Sequence, residues 1–350
     1  FSYSIITTGN NCPTASESGT ITVNPVHGIA LASAAATNNQ LACINIPITD
    51  ITYTLSGGAT GATVTGLPTG VTSSVSGTTL TISGTPTVTS TTPFSYSIIT
   101  TGNNCPTASE SGTITVNPVH GIALASAVAT ENQSLCINTQ ITDITYTLSG
   151  GATGATVTGL PTGVTASVTG TTLTISGSPT LTSPTPFSYS ITTTGNTCTV
   201  ATATGTITVN PVHTIVLSSA AATASQIACI NTPMTDITYT LSGGATGATV
   251  TGLPTGVTAS VTGTTLTISG TPTVTATTAL IYNVTTTGNP CTVATATGTI
   301  TVNPVHAIAL SSAAATTSQV LCINTPITDI TYTLSGGATG ATVTGLPTGV

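Results

Sequence analysis

None of the 350 residues is Lys, Arg or Trp. Without cations no surface can read phosphates, so a nucleic-acid partner is excluded. Polybasic docking on anionic lipid falls for the same reason, and so do Lys–Asn isopeptide crosslinks. Charge of either sign is scarce, with 7 acidic residues, 4 His and a formal net charge of −7. Solubility must rest on small polar side chains, chiefly Thr, Ser and Asn. No apolar run approaches the roughly 18 residues of a membrane-spanning helix, so direct membrane insertion is not expected. Aromatic residues are 3% of the chain, which leaves little to build the flat platforms that glycan sites favour.

What the chain has instead is a repeat. The string DITYTLSGGATGATVTGLPTGV occurs unchanged at Asp50–Val71, Asp143–Val164, Asp236–Val257 and Asp329–Val350. Successive copies start 93 residues apart (143 − 50, 236 − 143, 329 − 236). That period fits a whole domain rather than one solenoid turn, and no period of 20–30 residues appears inside it. Within each copy apolar and polar residues alternate, as in Ile51-Thr-Tyr53-Thr-Leu55, Leu80-Thr-Ile82, Phe94-Ser-Tyr96-Ser-Ile98 and Ile114-Thr-Val116. Alternation of period two puts one face on a core and the other in water. Gly, Pro and Asn clusters punctuate the runs at Gly57-Gly58, Leu67–Gly70, Ser76-Gly77, Gly84–Pro86 and Gly102–Asn104. Ala32–Thr37 suits a single helical turn or a loop equally. Six or seven short strands per copy predict an all-β fold: tandem immunoglobulin-like antiparallel β-sandwich modules of 93 residues in a rod-like array.

The phase of the repeat follows from Asn-Pro-Val-His, found at Asn24–His27, Asn117–His120, Asn210–His213 and Asn303–His306. Proline cannot donate to a sheet ladder, so a strand ends there. This makes Asn24, Pro25, Asn117, Pro118, Asn210, Pro211, Asn303 and Pro304 the linkers. They are short and stiffened by proline. The expected modules are 26–118, 119–211 and 212–304. Residues 1–25 would be the C-terminal part of a preceding module and 305–350 the N-terminal part of a following one, as in a window on a longer array.

GATGATVTGLPTGV, then Ile82–Pro86, then FSYSIITTG at Phe94–Gly102, resembles the Ig-like and PKD-like repeats of giant surface proteins of Bacteroidota. The resemblance implies export by the type IX route. It implies service as an adhesin, a gliding filament or a grappling-hook-like fibre. The setting would be extracellular, on a cell-surface appendage.

Cysteines occur twice per repeat, as Cys43 and Cys105, Cys136 and Cys198, Cys229 and Cys291, with Cys12 and Cys322 in the end portions. None has a zinc-site spacing. An even count at regular spacing outside the cytosol favours disulfides. Bridges within modules are expected: Cys43–Cys105, Cys136–Cys198 and Cys229–Cys291. The rival is pairing across the linker, Cys12–Cys43 and its equivalents, and two buried thiols per module form a third possibility. His27, His120, His213 and His306 fall one per linker. They read as surface polar residues, the alternative being a pH switch or a metal bridge. Asp50 and its copies read as turn or strand-end residues, because one carboxylate per module falls short of a calcium site. There is no G-x-S-x-G, no paired carboxylate motif and no phosphate-cradling glycine loop, so no enzyme activity and no cofactor are expected.

The chain thus reads as a structural repeat segment of an extracellular filament or adhesin stalk, giving length, stiffness and lateral assembly. Its partners would be copies of itself in a multi-chain filament. The alternative is an adhesive module whose loops bind glycans or a prey or host cell surface.

Overall fold

The computed structural model describes residues 1–350. Strands make up the regular structure, with three single 3₁₀ turns at Val128–Thr130, Ala221–Ala224 and Ala314–Thr317. An antiparallel hairpin comes first, β1 (Ser2–Ile6) with β2 (Ser16–Thr20). A complete sandwich follows, built from β3 (His27–Leu31), β4 (Asn39–Cys43), β5 (Ile51–Gly57), β6 (Ala59–Thr65), β7 (Val71–Ser76), β8 (Thr79–Gly84), β9 (Phe94–Gly102) and β10 (Ser109–Asn117). One sheet has the order β3-β5-β8-β7 and the other β4-β10-β9-β6. Two more sandwiches repeat this order, from His120–Leu124 to Thr202–Asn210 and from His213–Leu217 to Thr295–Asn303. A two-stranded ladder, Ala307–Leu310 with Tyr332–Ser335, comes last.

The alternating runs set the core. On β5 the side chains of Ile51, Tyr53 and Leu55 are buried, while Thr54 is exposed. Facing them are Tyr96 and Ile98 of β9 and Ile114 and Val116 of β10, in one cluster with Leu80 and Ile82. Each such side chain contributes roughly 1.5–3 kcal/mol by leaving water. Gly57 lets the chain leave one sheet for the other. Its φ is +63°, and a Cβ there would strike the Val26 carbonyl, so only glycine fits.

The strand order matches the constant-type immunoglobulin arrangement of a four-stranded sheet facing a three-stranded one, with β4 added beside the last strand. That addition departs from the all-antiparallel expectation. β4 runs parallel to β10, pairing Asn39 with Thr113 and Cys43 with Asn117. A parallel neighbour requires a long crossover, and the chain between β4 and β10 supplies one by passing through both sheets.

In antibody domains a disulfide joins the two sheets through the strands equivalent to β5 and β9. Here Tyr53 and Tyr96 occupy those strands, and their hydroxyls meet at 3.1 Å. Tyr96 also donates to the Asn38 carbonyl at 3.2 Å. Tyr146 with Tyr189 and Tyr239 with Tyr282 repeat the contact at 3.3 and 2.9 Å. The core clusters contain no cysteine.

Burial raises the pKa of Tyr53, Tyr96, Tyr146, Tyr189 and Tyr282 above the usual 10. The folded state therefore holds its protons more tightly than the unfolded chain. Stability is full below pH about 10 and falls above it, at about 1.4 kcal/mol per pH unit for each tyrosine that ionises on unfolding. Alkaline titration is expected to show these phenolates appearing together with loss of β-structure. Ionisation of these five buried tyrosines near pH 10 while the fold persists would contradict this.

Candidate functional site at the junctions between sandwiches

Between the first and second sandwiches only Pro118 and Val119 lie outside strands. Both neighbours grip this short joint. Asn117, the last residue of β10, sits opposite Cys43, and its carbonyl accepts from the Ile44 N–H at 2.9 Å. Asn45, at φ +61°, turns the chain immediately after Cys43 and so leaves that residue at the tip of the first sandwich. Asparagine tolerates this left-handed conformation better than most residues.

The second sandwich reaches back with the loop between Phe187–Gly195 and Thr202–Asn210. The Asn196 amide donates to the Pro118 carbonyl at 2.9 Å. Its oxygen accepts from the Cys198 N–H at 2.9 Å and from His120 Nε2 at 3.1 Å. His120 Nδ1 lies 2.9 Å from the Thr193 hydroxyl. The His120 N–H donates to the Thr199 carbonyl at 3.0 Å. Cys198 is thereby held over the joint, and its sulfur is bonded to that of Cys43.

The next joint repeats the arrangement. Asn289 donates to the Pro211 carbonyl at 3.0 Å, His213 meets Thr286 at 2.9 Å, and Cys136 is bonded to Cys291. Ahead of the first sandwich the same clasp forms, with Asn103 on the Pro25 carbonyl and His27 on Thr100. Cys105 there is an unbonded thiol beside the Asn24 carbonyl. Of the last linker, Asn303 ends the final long strand and pairs with Cys229, a free thiol. Pro304 follows it, and His306 is exposed.

The expected pairings are therefore corrected. Cys43–Cys105, Cys136–Cys198 and Cys229–Cys291 do not form, and neither does Cys12–Cys43. Both bridges span 155 residues and join neighbouring sandwiches. Geometry decides this. The parallel β4 carries Cys43 to the end of the sandwich where Asn117 exits, while the loop holding Cys105 lies at the other end, beside Asn24. The nine residues of β10 set those ends roughly 30 Å apart, beyond any disulfide.

The histidines also differ from the surface reading. His27, His120 and His213 are 5–7% exposed and their ring nitrogens are hydrogen-bonded. The available signal was the Thr-Thr-Gly-Asn that recurs at Thr100–Asn103, Thr193–Asn196 and Thr286–Asn289, one for each of these histidines.

Asp50 is exposed directly before β5, and no three His, Cys, Asp or Glu side chains converge. Calcium needs several oxygen ligands, so EDTA is expected to leave melting unchanged. A shift of several degrees on chelation would overturn this. No helix is long and apolar enough to cross a membrane.

No family model and no curated protein matches the sequence. Solved structures similar to it include the N-terminal eight Ig domains of Down Syndrome Cell Adhesion Molecule (DSCAM) isoform 1.30.30, at 11% identity and a TM-score of 0.37. Others are the protocadherin GammaB4 extracellular domain, at 10% and 0.41, and the ICAM-5 D1–D4 ectodomain fragment, at 12% and 0.39. The matches cover 88%, 95% and 82% of this chain and 41%, 61% and 80% of those chains. It thus spans less than two thirds of the first two. What makes this chain an array of immunoglobulin-like sandwiches is its own strand order.

Proposed function

We propose that this chain is a structural segment of an extracellular filament or adhesin stalk, built from modules 26–118, 119–211 and 212–304. The observation that carries the reading is the double fastening of both joints between complete sandwiches by a two-residue linker and a disulfide. Such a joint transmits bending and torque between neighbours, which suits a spacer that must hold its tip away from a surface. The resemblance to Bacteroidota surface repeats supports secretion by the type IX route to a cell-surface appendage.

The partners are further copies of the same chain, packed side by side. Natural sheet edges are guarded by charge, most often lysine. This chain has no lysine, and its edge strand β6 reads ATGATVT without a charged residue. Identical patches at a fixed pitch would add weak contacts into a strong one.

Electron microscopy and X-ray scattering of the oxidised chain test both parts. Straight rods that thicken with concentration are expected. Thin single rods at every concentration would remove lateral assembly, and freely bent beads would remove the stiff-stalk reading.

A further inference from the structure

We infer that the two bridges make the chain's covalent connectivity redundant, so that severing it requires three separate backbone cuts. The bridges overlap in sequence. Cys43–Cys198 encloses 44–197, and Cys136–Cys291 encloses 137–290. Each bridge is a node where two points of the chain meet. Three stretches of backbone run between these two nodes, 44–135, 137–197 and 199–290. They connect the nodes in parallel.

Cutting any one stretch leaves two others joining the nodes. Cutting two different stretches still leaves one. Only a break in each of the three separates the residues before Cys43 from those after Cys291. Bridges confined within sandwiches would behave differently, because each would protect only its own loop and leave the backbone between loops as the sole link. The added function is tolerance of backbone damage. A protease nick or hydrolysed bond anywhere from 44 to 290 leaves the load path whole. This holds whether or not the chain belongs to a filament.

The absence of Lys and Arg supplies the test, since trypsin has no site in the natural sequence. Thr78, Thr171 and Thr264 are exposed and occupy the same two-residue turn in successive sandwiches. One of them lies in each parallel stretch. Thr78→Lys, Thr171→Lys and Thr264→Lys, singly and together, install one cut per stretch. The oxidised protein is alkylated, digested in urea without reductant, and run on denaturing gels with and without reductant.

Four thiols are expected to react with the alkylating agent, matching the four free cysteines. One cut, or the cuts at 171 and 264 together, should leave a single full-length species that falls apart only on reduction. All three cuts should give two species without reductant, 1–78 joined to 172–264 and 79–171 joined to 265–350. Separation after one or two cuts overturns the proposal, as does the reaction of eight thiols. Survival as one species after three cuts also overturns it, because bridges within each sandwich give that result.

Discussion

Gly112→Ala will melt the first sandwich well below its neighbours, with a loss of roughly 3 kcal/mol or more, at the upper end of overpacking penalties. Gly112 lies in the buried stretch of β10 directly opposite Tyr96. A Cβ there would collide with the Asn38 carbonyl and with the Tyr96 hydroxyl. Tyr96 is 1% exposed and tied at its oxygen to Tyr53 and to Asn38, so it has nowhere to retreat. The Asn38 carbonyl precedes β4 and moves only with the strand that delivers Cys43 to the joint. Adding Tyr96→Phe should therefore rescue little, since the backbone collision remains. Gly205 and Gly298 meet Tyr189 and Tyr282 in the same way and should respond alike. Calorimetry of the three-sandwich chain held in reductant, where the bridges no longer couple the joints, reads the result as one early transition beside two unchanged ones. An unaltered thermogram would refute it.

The second large effect is expected from reduction. Each bridge closes a loop of 155 residues, for which the chain-entropy model gives about 5 kcal/mol. That stabilisation is shared across a joint rather than lodged in one core. Oxidised protein should melt with strong coupling between neighbours. Protein held in reductant should melt earlier and resolve into independent transitions, with the van't Hoff enthalpy falling towards that of a single sandwich. Cys43→Ser should release the first joint alone and leave the second coupled. Identical melting with and without reductant would sink the assignment of the bridges to the joints.

How much of this was legible beforehand depends on the kind of signal. Ile51-Thr-Tyr53-Thr-Leu55 and Phe94-Ser-Tyr96-Ser-Ile98 advertise strands because their alternation is the pleat itself. β6 is quieter. Its Ala, Gly and Thr carry little apolar contrast, and it is held by pairing with β9 instead. β4 hides more completely, since Leu41 is 68% exposed and only Ala42 turns inward. Its parallel direction has no local signature, because it is set by how the whole sandwich closes. The cysteine pairing inherits that ignorance. Sequence distance favours a partner 62 residues away over one 155 away, and only strand direction shows that the nearer one is at the wrong end. The burial of the histidines is hidden in the same way, since the partners of His120, Thr193 and Asn196, lie more than 70 residues downstream of it.

A hydrogen-bonded tyrosine pair, rather than a disulfide, joins the two sheets inside every core, and this sets an order of events. A sandwich needs no oxidant to complete its interior, so it can collapse and fold as soon as its strands are present. Sulfur chemistry can come second, because two finished neighbours docked through Pro118 and Asn196 or their counterparts bring each pair of cysteines into bonding range. Oxidation then works as proofreading. A wrongly docked unit does not present Cys43 to Cys198 or Cys136 to Cys291, while a correct joint is sealed by the same geometry that made it correct.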